Sequence, residues 1–328
     1  MMSRPERSVL IVGNGPHARE YAKVFRSGLK YRFCVCGRRQ GEIDRFRLEH
    51  GADRSIMLDQ LTAQTVSDFD FVVATTSPDS LEAVMSCLLK LGAKALLVEK
   101  PVALTFPGLE SLRTLTNESA AFCRVAYNRR YYRSVRALRK ILASESALQA
   151  LFDFTEQAAR IQALDRAPQT KQRWALVNSC HVFDTVRFLL GGYEPAYVYR
   201  GGEGALNWHP AGAIFLGAGS CGTTPVSYSA NWLSPGRWGI EIMTAKGRYK
   251  LSPMERLQVM RHNSFAWEEI DAGYEIDMQF KPGLHDMIAA YDEARAARSQ
   301  EARDALCDLP SLAENEALAV TISHLIGY

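Results

Sequence analysis

Three short stretches of the 328-residue sequence carry residue types able to do chemistry. Gly13-Asn14-Gly15-Pro16-His17-Ala18 has the spacing G-x-G-x-x-A, Lys100 stands between Glu99 and Pro101, and His181 precedes Asp184 by three residues. The first stretch is an anion-binding turn when a strand leads into it and a helix leaves it. Gly13 allows the tight turn, Gly15 lets the backbone approach a pyrophosphate, Ala18 permits close helix-to-strand packing, and the helix N-terminus offers free amides. Pro16 suits the first helical turn, where its missing N–H costs nothing. An ordinary glycine-rich turn is the alternative.

In dinucleotide-binding folds an acid follows about 20 positions later, at the end of the second strand, and holds the ribose of NAD. Here that strand ends in Gly37-Arg38-Arg39, with no carboxylate at its end. Two guanidinium groups match a 2′-phosphate in charge and in forked geometry, so the expected cofactor is NADP rather than NAD. A pair of solvated surface arginines is the alternative.

Lys100 follows the apolar run Ala95 to Val98 and so stands at the carboxyl end of a buried strand, the edge where ligands bind in open α/β sheets. Pro101 biases Lys100 away from helix, and this X-Pro bond can be cis. A single lysine is otherwise a surface residue. His181 and Asp184 share one face of a helix predicted from Asn178 to Leu190, where Asp184 would orient the imidazole or hold a substrate hydroxyl. A surface histidine beside an ion-pairing acid is the alternative.

The elements that must position these groups follow from periodicity. Strand-length apolar runs alternate with helical patterns through the first third: Ser8 to Val12, Tyr31 to Cys36, Arg54 to Met57, Phe69 to Ala74, Ala95 to Val98 and Ala121 to Tyr127. Helices are expected between them from near Pro16, Glu42, Leu61, Pro78 and Phe106. This pattern predicts an α/β Rossmann domain over residues 1–127, a doubly wound parallel sheet. The rhythm then changes to a basic amphipathic helix from Tyr131 to Leu142, a strand near Ala147 to Thr155 and a polar stretch. From Tyr193 short alternating strands run to Met260, and helices over Pro282 to Ala297 and Pro310 to Ile326 close the chain. Residues 128–328 are therefore expected to form an α+β domain with a mostly antiparallel open sheet.

Lys and Arg number 39 against 36 Asp and Glu, with no long basic run, so nucleic acid is not an expected partner. The apolar run Val9 to Val12 is too short for a signal-peptide core or a membrane span, and the expected location is cytoplasmic. The seven cysteines read as buried free thiols. Cys34 and Cys36 point to opposite faces of one strand, and no metal site is predicted.

Taken together, the sequence resembles the glucose-fructose oxidoreductase and inositol dehydrogenase family (Gfo/Idh/MocA) over nearly its whole length. The resemblance rests on Gly13 to Ala18, Ala74-Thr75-Thr76, Glu99-Lys100-Pro101-Val102-Ala103-Leu104-Thr105, Asn128-Arg129-Arg130-Tyr131, and His181-Val182-Phe183-Asp184 leading to Leu190-Gly191. It implies cofactor contacts from Gly13, Asn14, Gly15, Pro16, His17, Arg38, Arg39, Thr75, Thr76, Glu99 and Asn128. Lys100 would lie beside the nicotinamide, with His181 of the second domain facing it in proton transfer and Asp184 in support. Substrate contacts are expected from Arg129, Tyr131, Arg173, Trp174, Asn178 and Trp232, whose cationic members suit a phosphate, nucleotide or carboxylate on a sugar-like small molecule. Assembly as a homodimer or homotetramer through the second domain's sheet is implied. One position departs: many relatives carry an Asp four residues before the histidine, and Val177 stands there. That keeps open a different reaction or a non-catalytic cofactor-binding regulator.

Overall fold

Val9 to Val12 are at most 1% exposed, because a parallel strand flanked by crossover helices is covered on both faces. In the computed structural model, which describes residues 7–328, this strand is the centre of a six-stranded parallel sheet. Its strands are β1 (Ser8–Val12), β2 (Arg32–Gly37), β3 (Ser55–Met57), β4 (Phe71–Ala74), β5 (Ala95–Val98) and β6 (Phe122–Val125). Between them run α1 (Pro16–Lys23), α2 (Gln40–His50), α3 (Ala63–Ser67), α4 (Pro78–Lys90) and α5 (Phe106–Ser119). The strand order is β3-β2-β1-β4-β5-β6, the doubly wound arrangement that reverses direction between β1 and β4. Local chemistry starts the helices: Pro16 and Pro78 open α1 and α4, and the Thr105 hydroxyl caps α5 by accepting from the Gly108 amide at 3.2 Å.

Beyond Tyr127 come α6 (Arg133–Leu142), β7 (Ala147–Asp153), α7 (Ala158–Gln162), α8 (Pro168–Gln172) and α9 (Cys180–Leu190). Seven strands follow: β8 (Tyr193–Gly201), β9 (Ile214–Cys221), β10 (Thr224–Asn231), β11 (Gly239–Thr244), β12 (Gly247–Leu251), β13 (Leu257–Arg261) and β14 (Glu268–Ile270). The chain ends in α10 (Glu275–Gln279), α11 (Leu284–Ala296), α12 (Gln300–Leu306) and α13 (Leu312–Ile326). Strands β7 to β14 form one open sheet in the order β14-β13-β12-β11-β7-β10-β9-β8, antiparallel except for the β7–β10 pair. Residues alternate along β10, with Val226, Tyr228 and Ala230 buried and their neighbours turned outward. The buried face carries α9 on β7 and β11, and α6 on β12 and β13.

Both expected architectures are present, and the differences lie in the connections. The polar stretch after β7 contains two short helices, and α12 is an additional element. The helix expected from Asn178 begins with a π-helical turn, Ala175–Ser179, and turns regular only at Cys180. Contacts divide the chain into two units: everything described up to Tyr127 together with Gln279–Glu316, and Asn128–Met278 together with Ala317–Tyr328. The expected division ran once across the sequence, at 127/128, whereas α11 and α12 return to the first unit. Tyr291 of α11 packs between Phe71 and Phe122, with ring centroids at 5.4 and 5.3 Å, and is itself buried against these strand residues of the parallel sheet. Among the described residues no helix is long and apolar enough to cross a membrane.

Candidate active site

In the first unit the glycine turn leaves β1 at the point where the sheet reverses. Gly13 has φ +120°, and a Cβ there would lie 2.6 Å from Thr75 Oγ1, so only glycine fits between β1 and the end of β4. Gly15 is the opposite case, since a Cβ there meets nothing within 4 Å and the backbone faces open space. No side chain caps α1, which leaves its first amides available to an anion. Thr75 is tied down, its amide and hydroxyl both donating to Val12 O at 2.8 and 3.2 Å. The Thr76 hydroxyl is buried and lacks a hydrogen-bond partner among the described residues. Buried polar atoms rarely stay unpaired, so an open turn beside an orphaned hydroxyl fits a dinucleotide phosphate.

Arg38 and Arg39 are exposed at the end of β2, and Arg38 has no ion pair among the described residues. Arg39 Nη1 lies 2.8 Å from Glu42 Oε1, and Asn14 Nδ2 donates to Glu42 Oε2 at 3.3 Å. The expectation of no carboxylate at this corner is thus corrected: the strand end lacks one, but the first turn of α2 returns Glu42 to the place. Acids favour a helix's first turn, and the i,i+3 spacing brings Glu42 back onto Arg39.

Lys100 is half-buried at the carboxyl edge of β5, and the Lys100-Pro101 bond is cis. Its neighbour Glu99 is buried, accepts from Tyr21 Oη at 3.1 Å and lies 3.5 Å from His17 Nδ1. Burial alone would push the Glu99 carboxyl up. The His17 hydrogen bond and the charges of His17, Lys281 and Lys100 outweigh it and hold the group down at about 2. Glu99 is therefore an anion next to the Lys100 backbone. Lys281, 3.2 Å from His17 Nδ1, comes from the returning segment and was not anticipated.

In the second unit, Phe183 locks α9 onto the sheet by packing on Phe152 and Phe154 at 5.3 and 4.8 Å. This fixes His181, 5% exposed, with its ring 6.2 Å from that of Trp238. Asp184 does share the helix with it, but the carboxylate belongs to Arg130: Nε and Nη2 donate to Oδ2 and Oδ1 at 2.9 and 2.7 Å. Both residues are buried, so the Asp184 carboxylate is held in a bidentate ion pair with Arg130 on the same helix that carries His181. Two expected substrate contacts are also core residues. Trp232 stacks on Trp208 at 6.0 Å and donates its indole N–H to Phe154 O, while Tyr131 is buried beneath the Arg136 guanidinium. Arg173 lies over the Tyr328 ring, Arg129 lies over Trp238 at 4.9 Å, and Asn128 is buried beside Tyr132.

Trp174 and Asn178 do line a cavity, of about 340 Å³, together with Glu156, Arg160, Arg237 and Trp238. Glu156 follows β7, is buried, and accepts from Asn178 Nδ2 at 3.0 and 3.1 Å and from Ser179 Oγ at 2.8 Å. The π-helical turn aims both donors at this carboxylate, which stands 21 positions before Val177 in the chain. Neither Glu156 nor the two flanking arginines was expected. The only local signal was an acid directly after an apolar strand.

No protein-family model and no curated protein matches the sequence. Solved structures match over nearly the full length. An oxidoreductase from Agrobacterium radiobacter, solved with NAD+, L-tartaric acid and magnesium, has a TM-score of 0.72 at 14% identity, covering 97% of this chain and 94% of that one. A UDP-N-acetylglucosamine 3-dehydrogenase from Acidithiobacillus ferrooxidans reaches 0.73 at 14% identity, over 98% and 97%. The chain has the fold of these oxidoreductases. An NAD binding oxidoreductase from Klebsiella pneumoniae extends the likeness, with a TM-score of 0.74 at 15% identity over 98% and 96% of the two chains.

Proposed function

We propose that this chain is a cytoplasmic NADP-dependent oxidoreductase acting on a carbinol or carbonyl of a polar, sugar-like or nucleotide-linked small molecule. The observation that carries the reading is the open glycine turn with the orphaned Thr76 hydroxyl at the reversal point of the parallel sheet. When bound, nicotinamide supplies the hydride acceptor or donor. The protein's part is then to hold the phosphates at the α1 amides, to take a 2′-phosphate on Arg38 and Arg39, and to move one proton at the substrate oxygen. Lys100 and His181 take the proton step, with Glu99 as the fixed anion beside Lys100. The neighbours support the class, since one was solved with NAD+ and another acts on a nucleotide sugar. Exposed Tyr197, Tyr199 and Leu216 on β8 and β9 support assembly as a homodimer or homotetramer through this sheet.

The test is NADPH consumption and NADP reduction with a panel of sugar and nucleotide-sugar carbonyls and carbinols. Turnover that falls by about a hundredfold or more in Lys100→Met, with cofactor affinity retained, supports the reading. The double change Arg38→Ala with Arg39→Ala should raise KM for NADPH about tenfold more than for NADH. Cofactor binding without turnover across the panel would instead favour a regulator.

A further inference from the structure

The cavity of the second unit has a composition that selects among ligands. One wall is Trp174, whose indole N–H is buried and lacks a hydrogen-bond partner among the described residues. Of the neighbouring indoles in this unit, Trp232 gives its N–H to a backbone carbonyl, while Trp208 also lacks a partner among the described residues but does not line this cavity. A donor left over beside a cavity calls for an acceptor on the occupant. Glu156 supplies the opposite function, a buried acceptor held in place by Asn178 and Ser179. A hydroxyl is the group that both accepts from an indole N–H and donates to a carboxylate, and Trp238 adds a half-exposed aromatic face for the apolar side of a ring.

The rim settles the charge. Arg160 and Arg237 are exposed there, and neither makes an ion pair among the described residues, so two cations stand against the single carboxylate. A cationic ligand such as an amino sugar meets an excess of like charge, whereas a phosphate or carboxylate meets two guanidinium forks. We infer that this cavity binds a hydroxylated ring bearing an anionic substituent, with Glu156 and Trp174 reading ring hydroxyls and Arg160 and Arg237 holding the anion. This rests on the oxidoreductase reading for the name of substrate, and it narrows the class that reading leaves open.

Binding is measured on the full chain by calorimetry, with glucose, glucose 6-phosphate, UDP-N-acetylglucosamine and glucosamine as probes, alongside NADPH. The expected order places one or both anionic probes at least tenfold tighter than glucose, and glucosamine weakest. Trp174→Phe keeps the aromatic wall and removes the donor, and should weaken the tighter probe about five- to tenfold. Arg160→Ala with Arg237→Ala should abolish the advantage of the anionic probes over glucose. NADPH affinity should stay unchanged in each variant, which separates lost recognition from lost folding. Equal binding of all four probes, binding of none, or an unchanged affinity in Trp174→Phe overturns the inference. Turnover of an anionic substrate with KM unmoved by these variants would also overturn it while leaving the oxidoreductase reading intact. Variant-sensitive binding without any turnover would have the reverse meaning.

Discussion

Cofactor choice is decided by single residues, and the corner after β2 holds an opposed set. Arg38 and Arg39 present positive charge to a 2′-phosphate, yet Glu42 occupies Arg39 and also takes the Asn14 amide. The Arg39–Glu42 pair is largely exposed, so each partner gains only about 0.2–1 kcal/mol from it, and a phosphate competes readily. Glu42→Gln should therefore release Arg39 and lower Kd for NADPH about two- to fivefold, with Kd for NADH constant or raised. Fluorescence titration with both cofactors checks this, and a parallel shift in the two constants would remove Glu42 from the specificity argument. The arginines were legible because a strand end is a local feature. Glu42 was passed over because a ribose acid is expected on the strand, whereas this one returns to the corner through a helical turn.

At the scale of elements, chemistry is delivered by strand ends and by the irregular start of α9. A regular helix through Asn178 would turn it about 100° away from Val177, but the π-helical turn changes that register and brings Asn178 and Ser179 onto Glu156. The connection between β8 and β9 contributes a second fixed point. His209 is fully buried there, its ring nitrogens 2.8 Å from Gly212 O and 2.7 Å from Tyr328 Oη. Burial lowers its imidazole to about 4, opposed by the Gly212 hydrogen bond and assisted by the Arg173 charge. The unfolded chain then takes up this proton first, near pH 6.5, so the stabilisation is complete above that value and is lost as pH falls toward 4. Urea denaturation of the wild type and of His209→Gln at pH 7 and pH 4.5 should show their difference shrinking by about 2 kcal/mol at the lower pH. Equal losses in both proteins would mean that His209 does not carry the effect.

For the molecule as a whole, the decisive feature is that α11 and α12 complete the first unit after the chain has built most of the second. Asp292 is the anchor: it accepts from Arg7 Nε at 3.2 Å, Tyr31 Oη at 2.7 Å and Arg295 Nε at 2.8 Å, while Arg295 also reaches Asp70 at 3.1 Å. Removing this carboxylate leaves Arg7 and Arg295 to share Asp70 and the Tyr31 hydroxyl without its acceptor, so Asp292→Ala should cost about 2 kcal/mol of stability, read as a lower midpoint in chemical denaturation. A cost below about 1 kcal/mol would show that packing of Tyr291 alone holds the segment. Periodicity predicted the helix at 284–296, but a helix carries no local mark of the sheet it returns to.

What the sequence determined alone is what short-range physics enforces. Continuous burial makes strands of Val9 to Val12 and Phe71 to Ala74, glycine permits the φ of the first turn, and Pro101 shapes the backbone after Lys100. From these the doubly wound sheet and the placement of the glycine turn and Lys100 at one edge were readable. The partners of buried charges were decided only by tertiary structure. Arg130 reaches Asp184 across 54 residues, and Glu156 takes Asn178 across 22. A buried ionic group must find a counter-group somewhere, but its own sequence neighbourhood does not specify which, because that choice is made by the packing that removes both from water.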